Sequence, residues 1–203
     1  MAEQQKCKKL AAVFVEHQEY FGVISDENCQ WAIQNPKDAI TLFADAVKNR
    51  ATTEVKKLLK FIRTVSLPAI GEFVVAEKLR EGETVDGIKV AWLGKNFKKN
   101  FLTKREEAVP ESEFREHELT TRSRDPAIIT ELGGEDKVET TFGQFWEFLK
   151  TADRALWHVR HIRDVNGVLW AVDGGWYDDG LNVGAVPLDS PSDWGTGRRF
   201  LSR

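Results

Sequence analysis

Cysteine is scarce in this 203-residue chain, with only Cys7 and Cys29. Two cysteines without ligand spacing exclude a disulfide framework and a thiolate metal site. Both fall among residues that read as helical and suit buried thiols, and a Cys7–Cys29 bridge stays open at this level. Long apolar runs are missing too. Nothing approaches the ~20 residues that a spanning helix needs. The apolar stretch at 10–15 follows a basic start, but Glu16 and His17 stand where a small-residue cleavage site would fall. The expectation is a soluble, cytoplasmic protein without a membrane partner. Strong positive charge is also absent. The net charge is −3, which argues against general nucleic-acid binding. The acid excess is local: residues 111–150 carry 5 basic against 10 acidic side chains.

Catalytic signatures are equally sparse. There is no Gly-x-Ser-x-Gly elbow, phosphate loop, dinucleotide fingerprint or His-Glu-x-x-His. The sequence therefore nominates no catalytic residue, no metal ligand and no cofactor.

What is present is a change of hydrophobic period along the chain. Residues 1–66 read as helical. Leu10, Val13, Phe14 and Phe21 recur at i, i+3, i+4 spacing. Asn35-Pro36 opens a second helix with Ile40, Phe43, Ala44 and Val47 as its buried stripe. A third is expected from Thr52-Thr53, burying Val55, Leu58, Leu59 and Ile62 and stopped by Leu67-Pro68. Residues 67–133 read as mixed. Phe73-Val74-Val75-Ala76 and residues 88–93 are strand-like, with Asp86-Gly87 as a hairpin turn. A short helix is expected where Phe97 and Phe101 lie one turn apart, and residues 114–119 suggest an edge strand. Ala127-Ile128-Ile129 is a short apolar run broken by Gly133-Gly134.

Residues 134–203 combine a helix with a β-meander. Thr141-x-x-Gln144 is a capping box ahead of Phe142, Phe145, Trp146 and Leu149. After Lys150 neither lysine nor glutamate occurs, both being residues that strands disfavour. Strands are expected over 156–163 and 168–173 and through Leu181, Val183 and Ala185, with a fourth at 198–202. Asn166-Gly167 and Asp178-Asp179-Gly180 supply the turns, and Val168, Trp170 and Val172 share a face. The fold class is therefore α+β: N-terminal helices, a central mixed region, and a C-terminal helix packed on an antiparallel β-meander.

Several stretches together carry a resemblance: Phe61-Ile62-Arg63-Thr64-Val65, Trp92-Leu93-Gly94-Lys95-Asn96-Phe97, Asp125-Pro126-Ala127-Ile128-Ile129, Ile162-Arg163-Asp164-Val165-Asn166-Gly167 and Phe200-Leu201-Ser202-Arg203. In this order, over residues 60–203, the chain resembles a family of uncharacterised proteins from small-genome, candidate-phylum bacteria. That family has no assigned activity, so the resemblance implies a shared architecture and no chemistry.

Three groups of residues remain as candidates. His158 and His161 sit three apart, which on a strand sends them to opposite faces; partly exposed surface histidines are the expectation. Lys95, Lys98, Lys99, Lys104 and Arg105 interleave with Phe97 and Phe101, the composition of a single-strand nucleic-acid groove. A short helix with buried rings and solvated lysines gives the same string. The third group is aromatic. Trp176, Tyr177 and Trp194 lie in or beside turns, with Asp178, Asp179, Arg198 and Arg199 next to them. Rings give contact area and charges give orientation, so this set points to a non-enzymatic module that binds a protein or a small polar, glycan-like ligand. Rings that merely cap the open end of the meander fit the same positions, and Asp173, Asp178 and Asp179 suit turns better than a cation site. An enzyme of unrecognised class, perhaps a hydrolase with histidines and acids converging in a cleft, is the alternative.

Overall fold

The computed structural model describes residues 26–52 and 57–203. The helix expected over 6–21 and Cys7 lie outside the described residues. Contacts divide the chain into two units at Lys56/Lys57.

In the first unit, helix α1 (Asp26–Gln34) is followed directly by α2 (Pro36–Thr52). Asn35 joins them as expected: its carbonyl accepts from Ala39, and its side-chain amide donates to the Trp31 carbonyl at 2.9 Å. The anticipated burial on α2 is not found. Ile40 is 67% and Phe43 40% exposed, and Ala44 is half-buried.

The second unit is built on one eight-stranded, mostly antiparallel sheet in the order β1 (Leu59–Leu67), β6 (Ser112–Leu119), β10 (Arg199–Ser202), β7 (His158–Arg163), β8 (Leu169–Tyr177), β9 (Gly180–Pro187), β4 (Ile88–Leu93) and β3 (Thr84–Val85). The expected third helix is instead strand β1 (Leu59–Leu67), paired antiparallel with β6 (Ser112–Leu119). The run Phe61-Ile62-Arg63-Thr64-Val65 is aromatic and β-branched, and an available partner strand outweighs its helical spacing. Strand β6 is no edge either, since β10 (Arg199–Ser202) pairs along its other side. Phe73-Val74 forms only a two-residue strand, β2, before the short helix α3 (Val75–Lys78). β2 pairs with β5 (Arg105–Glu106) in a separate small ladder.

The turn chemistry matches its reading. Asp86 and Gly87 both take positive φ between β3 (Thr84–Val85) and β4 (Ile88–Leu93), as a type I′ hairpin requires. Helix α4 (Lys95–Asn100) follows β4. Helices α5 (Asp125–Glu131) and α6 (Glu135–Val138) are separated by Gly133-Gly134. Helix α7 (Phe142–Leu149) carries the full capping box.

Strands β7 (His158–Arg163), β8 (Leu169–Tyr177) and β9 (Gly180–Pro187) form the antiparallel meander. The fourth strand departs from a simple meander: β10 crosses back to lie parallel beside β7. Strand β9 also pairs with β4 in parallel, so the central region and the C-terminal module share one sheet.

Each sheet face meets a different layer. On one, Phe142, Phe145, Trp146, Phe148 and Leu149 of α7 join Phe97, Phe101, Val172, Leu181, Val183 and Leu201 in the larger core. On the other, Ile128 and Ile129 of α5, Leu132 just after it and Val138 of α6 cover Val159, Ala171, Phe200, Leu59 and Leu119. That second core includes no residue of β9 or β4, which leaves this end of the face uncovered.

Candidate binding groove

The uncovered end is floored by alternate residues of β8 and β9. Side chains of a strand alternate between faces, so Asp173, Gly175 and Tyr177 of β8 share the open face with their partners Gly184, Asn182 and Gly180 of β9. Trp92 of β4 lies opposite Asn182. Together with Ala91, Trp157 and Asp179, these residues line a groove of about 460 Å³.

Two glycines make the space. A Cβ at Gly184 would stand 2.5 Å from Asp173 Oδ1, and one at Gly175 would stand 2.4 Å from the Trp157 ring. The carboxylate and the indole therefore lie directly over the sheet backbone, where only glycine leaves room.

The walls are aromatic. Trp92 and Tyr177 are 48% and 58% exposed. Trp157 meets Tyr177 edge to face at 5.7 Å between centroids, and the Arg198 guanidinium stacks on Trp157 at 4.5 Å, a cation–π geometry.

The polar groups of the groove are incompletely satisfied. Burial pushes the Asp173 carboxyl above its ordinary range, and the positive charge of Arg198 pulls it partly back. Burial likewise lowers Arg198, against the opposing effects of Asp173 and Tyr177. Among the described residues no hydrogen bond or ion pair joins these two. Asn182 Oδ1 and Arg198 Nη1 are both buried without a protein partner. Buried polar atoms are nearly always paired, so each such exception points to a missing ligand or water. A carboxyl and an amide oxygen thus flank the exposed rings, with the guanidinium behind the Trp157 wall.

The seven residues singled out from sequence do not converge. Tyr177 and Asp179 line the groove, and Arg198 backs its Trp157 wall. Asp178 lies in the exposed turn. Trp176 points to the opposite face, beside His158 and under Arg154. Arg199 is also on that face, where its Nη2 donates to Glu118 at 2.8 Å. Trp194 is a clamp: its indole N–H donates to Asp125 Oδ2 at 2.8 Å, and its backbone exchanges hydrogen bonds with Ser123. Trp92, Trp157, Asp173 and Asn182 complete the groove and were not chosen from sequence. The signal that could have found them is strand parity, which sets Trp92 and Asn182 on the face opposite Leu93 and Val183.

The histidines lie on opposite faces as expected, but the surface reading is corrected: each is 1% exposed, because β7 is central and covered on both sides. His161 Nε2 donates to Asp125 Oδ1 at 2.9 Å. His158 Nδ1 lies 3.9 Å from Glu116 Oε1. In the basic segment, Phe97 and Phe101 are fully buried and Lys98 and Lys104 pair with Glu81 and Glu106. Lys95, Lys99 and Arg105 are exposed, but the two phenylalanines of the segment lie in the core, away from any base. Among the described residues no three His, Cys, Asp or Glu side chains gather as a metal set, and no helix is long and apolar enough to cross a membrane.

Comparison with family models, curated proteins and solved structures gives no match. No family is shown for the chain, and the groove stands on its own geometry.

Proposed function

We propose that the second unit is a non-enzymatic binding module whose groove holds a small polar ligand with a flat apolar face, a sugar ring being the type that fits. The supporting observation is the pairing of exposed Trp92 and Tyr177 rings with the buried, unpartnered Asn182 Oδ1 and Arg198 Nη1 beside Asp173. A pyranose offers C–H faces to the rings and hydroxyls that both donate and accept. Asp173 and Asn182 take the donated hydrogens, and Arg198 holds the Trp157 wall from behind. Binding pockets generally combine apolar walls with a few placed polar groups in this way.

The non-enzymatic reading is supported by the separation of the groove from the two buried histidines. The groove pairs its acidic groups with neither histidine, since His158 is on the other face and His161 is sealed against Asp125. The test is a glycan array followed by calorimetric titration of the best binder. Trp92→Ala and Tyr177→Ala are expected to weaken binding at least tenfold each while far-UV circular dichroism stays unchanged. An array without binders, or variants that bind as the parent does, would refute the reading.

A further inference from the structure

A second polar cavity lies on the α7 face of the sheet. Strand register sets Arg63 of β1, Glu116 of β6, Arg199 of β10, and His158 and Arg160 of β7 on this face. Arg63, Glu116 and Arg199, with Thr151 and Asp153 from the loop after α7, line a cavity of about 300 Å³. His158 and Arg160 lie beside it, within the charge influence of Glu116.

Its donors are in surplus. Arg160 is 1% exposed, with its guanidinium 4.2 Å from the Phe148 ring centroid. Its Nη1 donates to the carbonyls of Val159 and Arg199, while Nε and Nη2 are buried without a partner. Arg199 uses Nη2 on Glu118 and leaves Nε and Nη1 likewise. Burial lowers Arg160 to about 9 against the opposing pull of Glu116, so it stays charged at neutral pH. The neighbouring carboxylates are already engaged. Glu116 Oε2 accepts from Arg63 Nε at 2.6 Å, and Asp153 Oδ1 accepts from the Ala155 N–H at 3.0 Å.

One acceptor pair is left over as well. His158 Nε2 faces the Asp153 carbonyl at 3.0 Å. A carbonyl only accepts, so Nε2 carries the proton and Nδ1 is a bare lone pair. Burial, reinforced by the Arg160 charge, pulls this imidazole down to about 4. Nδ1 has no hydrogen-bond partner, and the Glu116 Oε1 atom 3.9 Å away is an acceptor too. Two acceptors at that separation call for a donor between or beside them.

We propose that this cavity binds a small, singly charged oxyanion that carries a hydroxyl, with dihydrogen phosphate as the probe that fits. Its oxygens accept from Arg160 and Arg199 in the charge-assisted geometry that guanidinium favours, and its hydroxyl donates to His158 Nδ1 or Glu116 Oε1. Arg63 and Arg199 line the cavity with Glu116 and Asp153, and Arg160 and Glu118 lie next to them, so the site is near neutral before binding and suits a singly charged ligand. Sulfate, which has no proton at neutral pH, leaves the acceptor pair facing another acceptor.

The full chain is to be titrated with potassium phosphate, potassium sulfate and potassium chloride at matched ionic strength, read by thermal shift and, for phosphate, by ³¹P line broadening. Phosphate is expected to raise Tm above the chloride control and sulfate to do so less. Arg199→Gln, at the cavity wall, is expected to weaken phosphate binding at least tenfold. Phosphate acting no differently from chloride, or Arg199→Gln binding phosphate like the parent, overturns the site. Sulfate matching phosphate overturns the hydroxyl requirement. If Arg199→Gln fails to fold, the comparison of the three salts on the parent protein still decides.

Discussion

The two ends of one sheet face use nearly the same side chains to opposite effect. Under α5 and α6, Asp125 receives His161 on one oxygen and the Trp194 indole on the other, so both oxygens are engaged. A few residues away on the same face, Asp173 also sits among tryptophans and a cation, yet it makes no direct pair with Arg198, and Asn182 Oδ1 and Arg198 Nη1 are left over. The first network is closed by a helix and fastens the loop that leads to β10. The second is open because the helical layer of the second core does not reach β9 and β4. Satisfied polar clusters rigidify a fold, whereas incompletely satisfied ones beside a cavity are where a ligand adds most.

Replacing Asp125 by alanine should break the closed network most severely. It strands a buried imidazole and an indole N–H, and a loss of about 3 kcal/mol or more is expected from urea unfolding. A loss below about 1 kcal/mol would show that the network is not closed. The next effect is on the α7 face and depends on pH. His158 falls from 6.5 to about 4 on folding, and each unit is worth ~1.4 kcal/mol. The unfolded chain binds this proton more readily, so stability is full above about pH 6.5 and drops by about 3 kcal/mol as pH falls through 4. His158→Gln should flatten that part of the stability profile.

Tryptophan replacements then separate the two ends directly. Trp194→Ala removes a hydrogen bond to a buried carboxylate and should cost about 2 kcal/mol. Trp92→Ala should change stability by less than about 0.5 kcal/mol and act on ligand binding instead. Equal losses in the two variants would erase the distinction between clamp and groove. The smallest effect concerns Asp173. Its folded pKa is raised, so the ionised carboxyl disfavours folding once pH exceeds the ordinary aspartate value. Asp173→Asn should therefore be more stable than the parent at pH 7, with the gain vanishing below about pH 4. A stability gain independent of pH would sink that account.

Local signals carried much of this architecture. The capping box at Thr141, the Asn-Gly and Asp-Gly turns and the alternation through Trp170 act over a few residues, and all appear in the structure. Errors fell where a distant partner decides. Residues 59–67 become a strand because β6 pairs with them, and residues 112–119 become interior because β10 returns to their free edge. The groove was half legible. Tyr177, Asp179 and Arg198 stood near turns and were noticed, whereas Asp173, Asn182 and Trp92 sit within strands and look like ordinary alternation. Loop position drew attention to Trp194, yet a buried carboxylate from a segment 69 residues earlier holds it.

By itself, the sequence determined the α+β class, the aromatic helix face, the turns and the strand parity of the C-terminal meander, because each depends on short-range sterics and hydrophobic period. Tertiary structure alone decided which tryptophans are clamps and which are walls. It also set His158 and His161 in the interior and left one end of a sheet face uncovered over its glycines. Those outcomes depend on which strands become neighbours and where a helical layer stops, and pairing across the chain is not encoded in any single stretch of it.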